Sequence, residues 1–173
     1  GCALAGAAKP PPAPASEAER HPLELEALSD PRGALAKILP LIDRARADGR
    51  HRELALLEIA RANACRIFAD WECQQEAGVA ARVAADAAGE PLLAVRGLIA
   101  ESRALLSQQQ YSPGGRVLAE AERRLAKNPS PVLSAGVQLV MDREVVPADG
   151  NHQIVGRKIW WAPKGASPRA SRR

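Results

Sequence analysis

The sequence predicts an all-α fold: a short array of antiparallel helical hairpins, an α-solenoid, between a Pro/Ala-rich N-terminal segment and an irregular C-terminal tail. Three observations predict it. A spacing of 40 residues runs through the middle of the chain. Gly49, Gly89 and Pro129 follow it, as do Trp71 and Tyr111, Ala60 and Ala100, Ala64 and Ala104, and Pro91 and Pro131; Gly150-Asn151 falls where the member after Tyr111 belongs. Self-similarity at such a period marks stacked supersecondary units. The hydrophobic share is 46% while aromatic residues make up only 3%. A core of Ala, Leu and Val suits close helix packing better than strands, which favour β-branched and aromatic residues. Finally, cap and turn residues recur between runs of helical apolar spacing.

Residues 1–21 read as disordered. Lys9 to Arg20 contains Pro10, Pro11, Pro12 and Pro14, which block helix and sheet hydrogen bonding and favour extended polyproline II. The helical repeat domain is placed at 22–146. Ser29-Asp30-Pro31 is a helix start, with Asp capping free N–H groups and Pro at the first helical position. Leu35, Ile38, Leu39, Ile42 and Ala45 keep helical spacing, Pro40 is expected to kink the helix, and Asp48-Gly49 ends it in a left-handed turn. From Glu53 to Ala69 the apolar face is Leu56, Ile59, Ala60, Asn63, Ala64 and Ile67. Asp70-Trp71 marks the turn. The next helix, from about Glu72 to Ala88, is expected to bury Val79, Ala80, Val83, Ala84 and Ala87, and Gly89-Glu90-Pro91 closes it. Leu92 to Gln109 repeats the first helix of the hairpin, Ser112-Pro113 opens its partner to Lys127, and Asn128-Pro129-Ser130-Pro131 stops the chain. Two hairpins result, 53–88 and 92–128, after the single helix 31–47 and before a half-hairpin at 132–146. Ala60, Ala64, Ala100 and Ala104 are expected where helices cross. Trp71 and Tyr111 are expected at matching hairpin tips, as wedges or as partner contacts. Residues 147–173 read as an irregular basic tail, with two glycines and two prolines in 153–168.

The run Glu53-Leu-Ala-Leu-Leu-Glu-Ile-Ala-Arg-Ala-Asn-Ala-Cys-Arg-Ile-Phe-Ala-Asp-Trp-Glu-Cys-Gln resembles the tetratricopeptide-type (TPR-like) N-terminal region of bacterial GGDEF diguanylate cyclases. Val95-Arg-Gly-Leu-Ile-Ala-Glu-Ser-Arg, the turn at Tyr111 and Glu120-Ala-Glu-Arg-Arg-Leu continue the likeness over roughly 22–135. It implies a sensory or protein-interaction module of cyclic di-GMP signalling. The catalytic half of that family has no counterpart: Gly114-Gly115 is followed by Arg116-Val117, so the GGDEF motif, its metal-binding acids and its GTP site are not carried over. The likeness ends near Ser134, and a truncated or frame-disrupted gene and a divergent tail both account for that.

Chemistry-bearing patterns are few, and the chain reads as a non-enzyme. Cys65 and Cys73 flank the Asp70-Trp71 turn nearly symmetrically, so either a disulfide staples the hairpin or two small buried thiols sit in a reducing compartment. His21, His51 and His152 are scattered and no Cys-x-x-Cys pair is present, so no metal site is expected, and no cofactor. Glu53, Glu58, Glu72, Glu76, Glu101, Glu120 and Glu122 read as a solvated helix surface rather than acid/base pairs. Asn63 and Arg103, one repeat apart, are the candidates for partner contact in the first-helix row, with core hydrogen bonding as the competing reading. The expected partner is a protein or peptide, with homodimer pairing through 132–146. The net charge is +4, and it derives from a tail with no acid after Asp149, so no nucleic-acid partner is expected. Membrane association is expected only through acylation of Cys2 in Gly1-Cys2 or through the basic tail with Trp160-Trp161. Gly1-Cys2 leans the localisation toward a periplasmic lipoprotein or adaptor, with the cytoplasm as the alternative.

Overall fold

The structure, a computed structural model, describes residues 19–144, all-helical apart from short links. The seven helices are α1 (Pro22–Ser29), α2 (Pro31–Ala47), α3 (His51–Ile67), α4 (Trp71–Ala88), α5 (Pro91–Ser107), α6 (Tyr111–Lys127) and α7 (Pro131–Glu144). The expectations at Gly1-Cys2, the Pro-rich spacer up to Ala18, His152, and the tail 147–173 with Trp160-Trp161 lie outside the described residues.

A stride of 20 residues, half the repeat seen in the sequence, sets the architecture. Gly49, Ala69, Gly89 and Gln109 all have positive φ, at 65°, 54°, 69° and 61°. At each of these turns the following N–H reaches back to the carbonyl five residues earlier: Arg50 to Ala45 (2.9 Å), Asp70 to Cys65 (3.0 Å), Glu90 to Ala85 (2.9 Å) and Gln110 to Leu105 (2.8 Å). The positive-φ residue itself donates three residues back, as Gly49 does to Arg46 and Gln109 to Leu106. This double closure satisfies carbonyls that a helix end leaves unpaired. The residue donating the long bond is at once the N-cap of the next helix. Asp70 uses its carboxylate, accepting from the Cys73 N–H at 3.0 Å, and Asp30 does the same for Gly33 at 2.9 Å. At the last link Pro129 stands in the register position of the left-handed residue, and Ser130 Oγ instead caps α7 by accepting from the Leu133 N–H at 3.1 Å.

Consecutive helices pack side by side. In addition α1 packs on α3, α3 on α5 and α5 on α7, whereas α2, α4 and α6 do not pack on one another. The odd helices thus form one continuous row, and the even helices stand apart on it, linked at their rim by Arg124 of α6 on Asp86 of α4 (2.5 Å). Three apolar clusters each span three helices. Ile38, Ile42 and Leu57 centre the α1–α3 cluster, Leu56, Ile59 and Leu93 the α3–α5 cluster, and Leu98, Leu118 and Val137 the α5–α7 cluster.

Several expectations need correction. Helix α1 has no counterpart in the sequence reading; His21 caps it, its imidazole Nδ1 accepting from the Leu23 N–H at 3.2 Å. Pro40, where a kink was expected, lies inside α2, which stays helical to Ala47. Pro40 and Ala36, whose carbonyl loses its partner, are both exposed, so water can replace the bond. Helix α4 does not bury Val83, which is 56% exposed, and Ala87 is exposed too. Its inner face is Gln74, Ala77, Gly78, Ala81, Ala84 and Ala85. The reason is distance: a Cβ on Gly78 would lie 2.6 Å from the Glu101 backbone N, and one on Gly97 would lie 2.7 Å from that of Arg82. Backbone meets backbone where α4 crosses α5, so the smallest side chains, not the most apolar, face inward. Ala60, Ala64 and Ala104 are fully buried as expected, whereas Ala100 is only half-buried, and the tightest crossing belongs to these glycines. Ile67 likewise lies outside the core, at 41% exposed.

The left-handed turns generate a test. Ala69 bears a Cβ at a conformation that costs an L-residue roughly 1–2 kcal/mol, only partly offset by the lower chain entropy of a non-glycine in the unfolded state. Ala69→Gly is expected to raise urea-denaturation stability by about 0.5–1 kcal/mol, and Gly89→Ala to lower it by about 1 kcal/mol. The Gly89 site has open space for a methyl group, so equal stability of wild type and Gly89→Ala would show that backbone conformation does not govern these turns.

Candidate partner-binding face

The odd-helix row carries the polar chemistry. Asn63 of α3 and Arg103 of α5 occupy equivalent positions on neighbouring odd helices, and both are half-buried. Asn63 is engaged, its Nδ2 donating to Glu24 Oε1 of α1 at 3.0 Å. Arg103 is engaged within the molecule as well. Trp71 and Tyr111 do hold matching places, each the first residue of an even helix and each half-buried, with Tyr111 packed on the α5–α7 cluster. They belong to the even helices, so they are not in one row with Asn63 and Arg103.

The strongest polar constellation was missed in the sequence. Arg96 of α5 donates through one guanidinium nitrogen to both carboxylate oxygens of Glu24, at 2.8 and 2.7 Å, and through the other to the main-chain carbonyl of Glu19 at 2.6 Å. Arg20 lies 3.8 Å from the same carboxylate. Arg52 of α3 joins the Glu19 carboxylate and, at 2.9 Å, Glu90. The side chains of Glu24 and Arg96 are 5% and 11% exposed, so the pair is withdrawn from water and its charge-assisted bonds are correspondingly strong. A signal existed: Arg96 interrupts the apolar run Leu92-Leu-Ala-Val-Arg-Gly-Leu-Ile, and an arginine inside a buried stretch needs a carboxylate partner.

Glu58, expected on a solvated surface, is fully buried in α3. It accepts from Arg46 of α2 at 3.3 Å and from Arg61 at 3.4 Å. Burial pushes its pKa up, and the two guanidinium groups only partly oppose that. The cap residue His21 shifts the other way, burial holding its pKa below the usual imidazole range. This suits an Nδ1 that must stay unprotonated to accept from Leu23.

Cys65, in the last turn of α3, and Cys73, in the first turn of α4, are joined as a disulfide across the Phe68–Asp70 turn, with Cα atoms 5.8 Å apart. Two shallow grooves of about 360 Å³ each flank α6. One, between α6 and α7, is lined by Leu125, Pro129, Val137 and Met141 among others; the other gathers Arg82, Arg116 and Arg124 with Glu101 and Glu120. Among the described residues no group of three or more His, Cys, Asp or Glu side chains is placed to hold a metal ion, and no helix is long and apolar enough to cross a membrane. No protein-family model, curated protein or solved structure is matched by the chain.

Glu58 generates a pH prediction. A carboxyl whose pKa is raised on folding binds more protons folded than unfolded above its ordinary value of 4.5, so its contribution falls as pH rises through the shifted pKa. In urea denaturation from about pH 4.5 to 7.5, Glu58→Gln should remove a downward slope present in the wild type. Identical slopes would show that the paired arginines cancel the burial.

Proposed function

We propose that this chain is a non-catalytic interaction module, a TPR-like stack of helical hairpins whose odd-helix row receives a protein or peptide partner. The observation that carries the reading is the continuous row α1–α3–α5–α7 with even helices standing apart on it at a constant stride. Stacks of this kind present an extended surface made by corresponding positions of successive repeats. Asn63 and Arg103 are such positions, and Trp71 and Tyr111 are a second matched pair at the turn ends. Placement within a cyclic di-GMP signalling protein, as its sensory or interaction part, rests on the residue resemblance around Ala62-Asn-Ala-Cys and Asp70-Trp-Glu-Cys-Gln alone. A second copy of the chain is a further candidate partner at α7, which turns Val132 (62% exposed), Ala135 and Leu139 (43% exposed) away from its buried Leu133, Val137 and Val140.

Selection of displayed random peptides on the full chain tests the reading. Selected peptides are expected to lose about tenfold or more in affinity, about 1.4 kcal/mol, on Arg103→Glu, and to be unaffected by Arg44→Glu on the exposed part of α2. Peptides insensitive to every odd-helix substitution would remove the row from consideration.

One observation favours a different setting, an exported lipoprotein or periplasmic adaptor: the Cys65–Cys73 bridge, since disulfides persist in oxidising compartments. Alkylation of protein taken directly from its native cells, before any exposure to air, is expected to leave both thiols blocked by each other on that reading. Two alkylated cysteines at 65 and 73 would return the chain to the cytoplasm.

A further inference from the structure

We propose that α3 and α5 form a recognition site for an acidic peptide, and that α1 with the residues before it occupies this site as an internal stand-in. The inference rests on the interaction-module reading and names its ligand class. The site is built from two odd helices. Arg96 offers one nitrogen to a carboxylate and the other to a main-chain carbonyl; Asn63 adds a donor to the same carboxylate, and Arg52 takes a second carboxylate. The present occupant supplies Glu24, the Glu19 carbonyl and the Glu19 side chain in that order. Beside the charged contacts, Leu23 and Ala27 enter the apolar cluster of Ile38 and Leu57. The ligand chemistry is therefore a short helical peptide with an apolar residue, a glutamate directly after it and a small residue one turn on.

Three features mark α1 as an occupant rather than a pillar of the fold. It has 8 residues, against 17 or 18 in each of α2 to α6, and a helix that short does not hold together alone. Only Leu23 and Ala27 of its apolar residues are buried, while Leu25 and Leu28 are 57% and 58% exposed. And α2 does not depend on it for a start, because Asp30 and Pro31 fix that end independently. Release of α1 with Glu19 exposes the Arg96 guanidinium, one side of Arg52, which keeps Glu90, and an apolar patch. A competing acidic peptide gains the bonds α1 gives up, so occupancy by one excludes the other.

The probe is a fluorescent peptide of residues 19–29, Glu-Arg-His-Pro-Leu-Glu-Leu-Glu-Ala-Leu-Ser, titrated by anisotropy against the full chain. Wild type is expected to bind it weakly. Glu24→Arg, which sets like charge against Arg96, and separately Leu23→Asp, which removes the apolar anchor, are each expected to bind it at least tenfold more tightly. Adding Arg96→Ala to either variant, or replacing the glutamate after Pro-Leu in the peptide by Gln, should abolish the gain. If both variants keep a cooperative melt and neither gains affinity, the site does not exist; if both lose the fold, α1 is structural and the stand-in idea falls. Either failure leaves the interaction-module reading intact provided that selected peptides still depend on Arg103.

Discussion

The fold depends on one backbone event repeated at a fixed interval: a left-handed residue that closes a helix and hands the chain to the next. Each such residue lets the following N–H bond back to the preceding turn, so a helix ends within two residues. The donor of that bond already caps the next helix, and so the links stay very short. Because Gly49, Ala69, Gly89 and Gln109 are equally spaced, α2 to α6 have nearly equal lengths and reverse direction at equal intervals. Short links between helices of nearly equal length lay each helix against its predecessor, and the odd helices against one another. Where the event is replaced, at Pro129 and Ser130, the contact weakens: α6 and α7 pack on each other less than any other successive pair of helices among the described residues.

What the short turns bring together, small residues allow to touch. The α4–α5 crossing places Gly78 against Glu101 and Gly97 against Arg82 at distances no side chain survives. At Gly114, Ser102 Oγ donates to the glycine carbonyl at 2.9 Å, so a polar group is satisfied inside the α5–α6 contact. Close approach increases dispersion contact for a core poor in aromatic residues. The face of α4 turned inward is accordingly the one of small residues, with Ala81 and Ala85 buried, while Val83 lies off that face and is exposed.

The fold was legible in the sequence wherever a residue type is tied to one job. Gly49 and Gly89 announced left-handed turns, Asp30-Pro31 announced a helix start, and Cys65 and Cys73 sat symmetrically about a turn. Ala69 and Gln109 perform the same job as the glycines without a distinctive side chain, so the 20-residue stride was hidden behind the 40-residue one. The buried face of α4 was misread because apolar spacing weighs Val above Ala and is blind to backbone distance. The candidate site was half legible. Asn63 and Arg103 stood out by repeat position, but Glu24 lies in a helix of eight residues outside the repeat, and its partner Arg96 is 72 positions away. No local pattern links residues that far apart.

Among the described residues three glutamates lie buried against an arginine of a different element: Glu24 with Arg96, Glu58 with Arg46, and Glu90, in the α4–α5 link, with Arg52. Such pairs are weak contributors to stability, because withdrawing both charges from water costs about as much as their attraction returns. Their value in this fold lies elsewhere. A helix faced with alanine and glycine presents a smooth surface, and a neighbouring helix can slide along it by a turn with little loss of apolar contact. A buried carboxylate cannot slide: moved by one turn, it loses its guanidinium and remains unpaired in a low-dielectric interior, at a cost of several kcal/mol. The charged pairs therefore set the register that the small residues leave undetermined, α3 against α2 and the α4–α5 link against α3. The same reasoning separates the Glu24–Arg96 pair from the other two. Glu24 fixes the register of a helix of only eight residues, with two buried apolar side chains, so its arginine is the one whose partner can be exchanged.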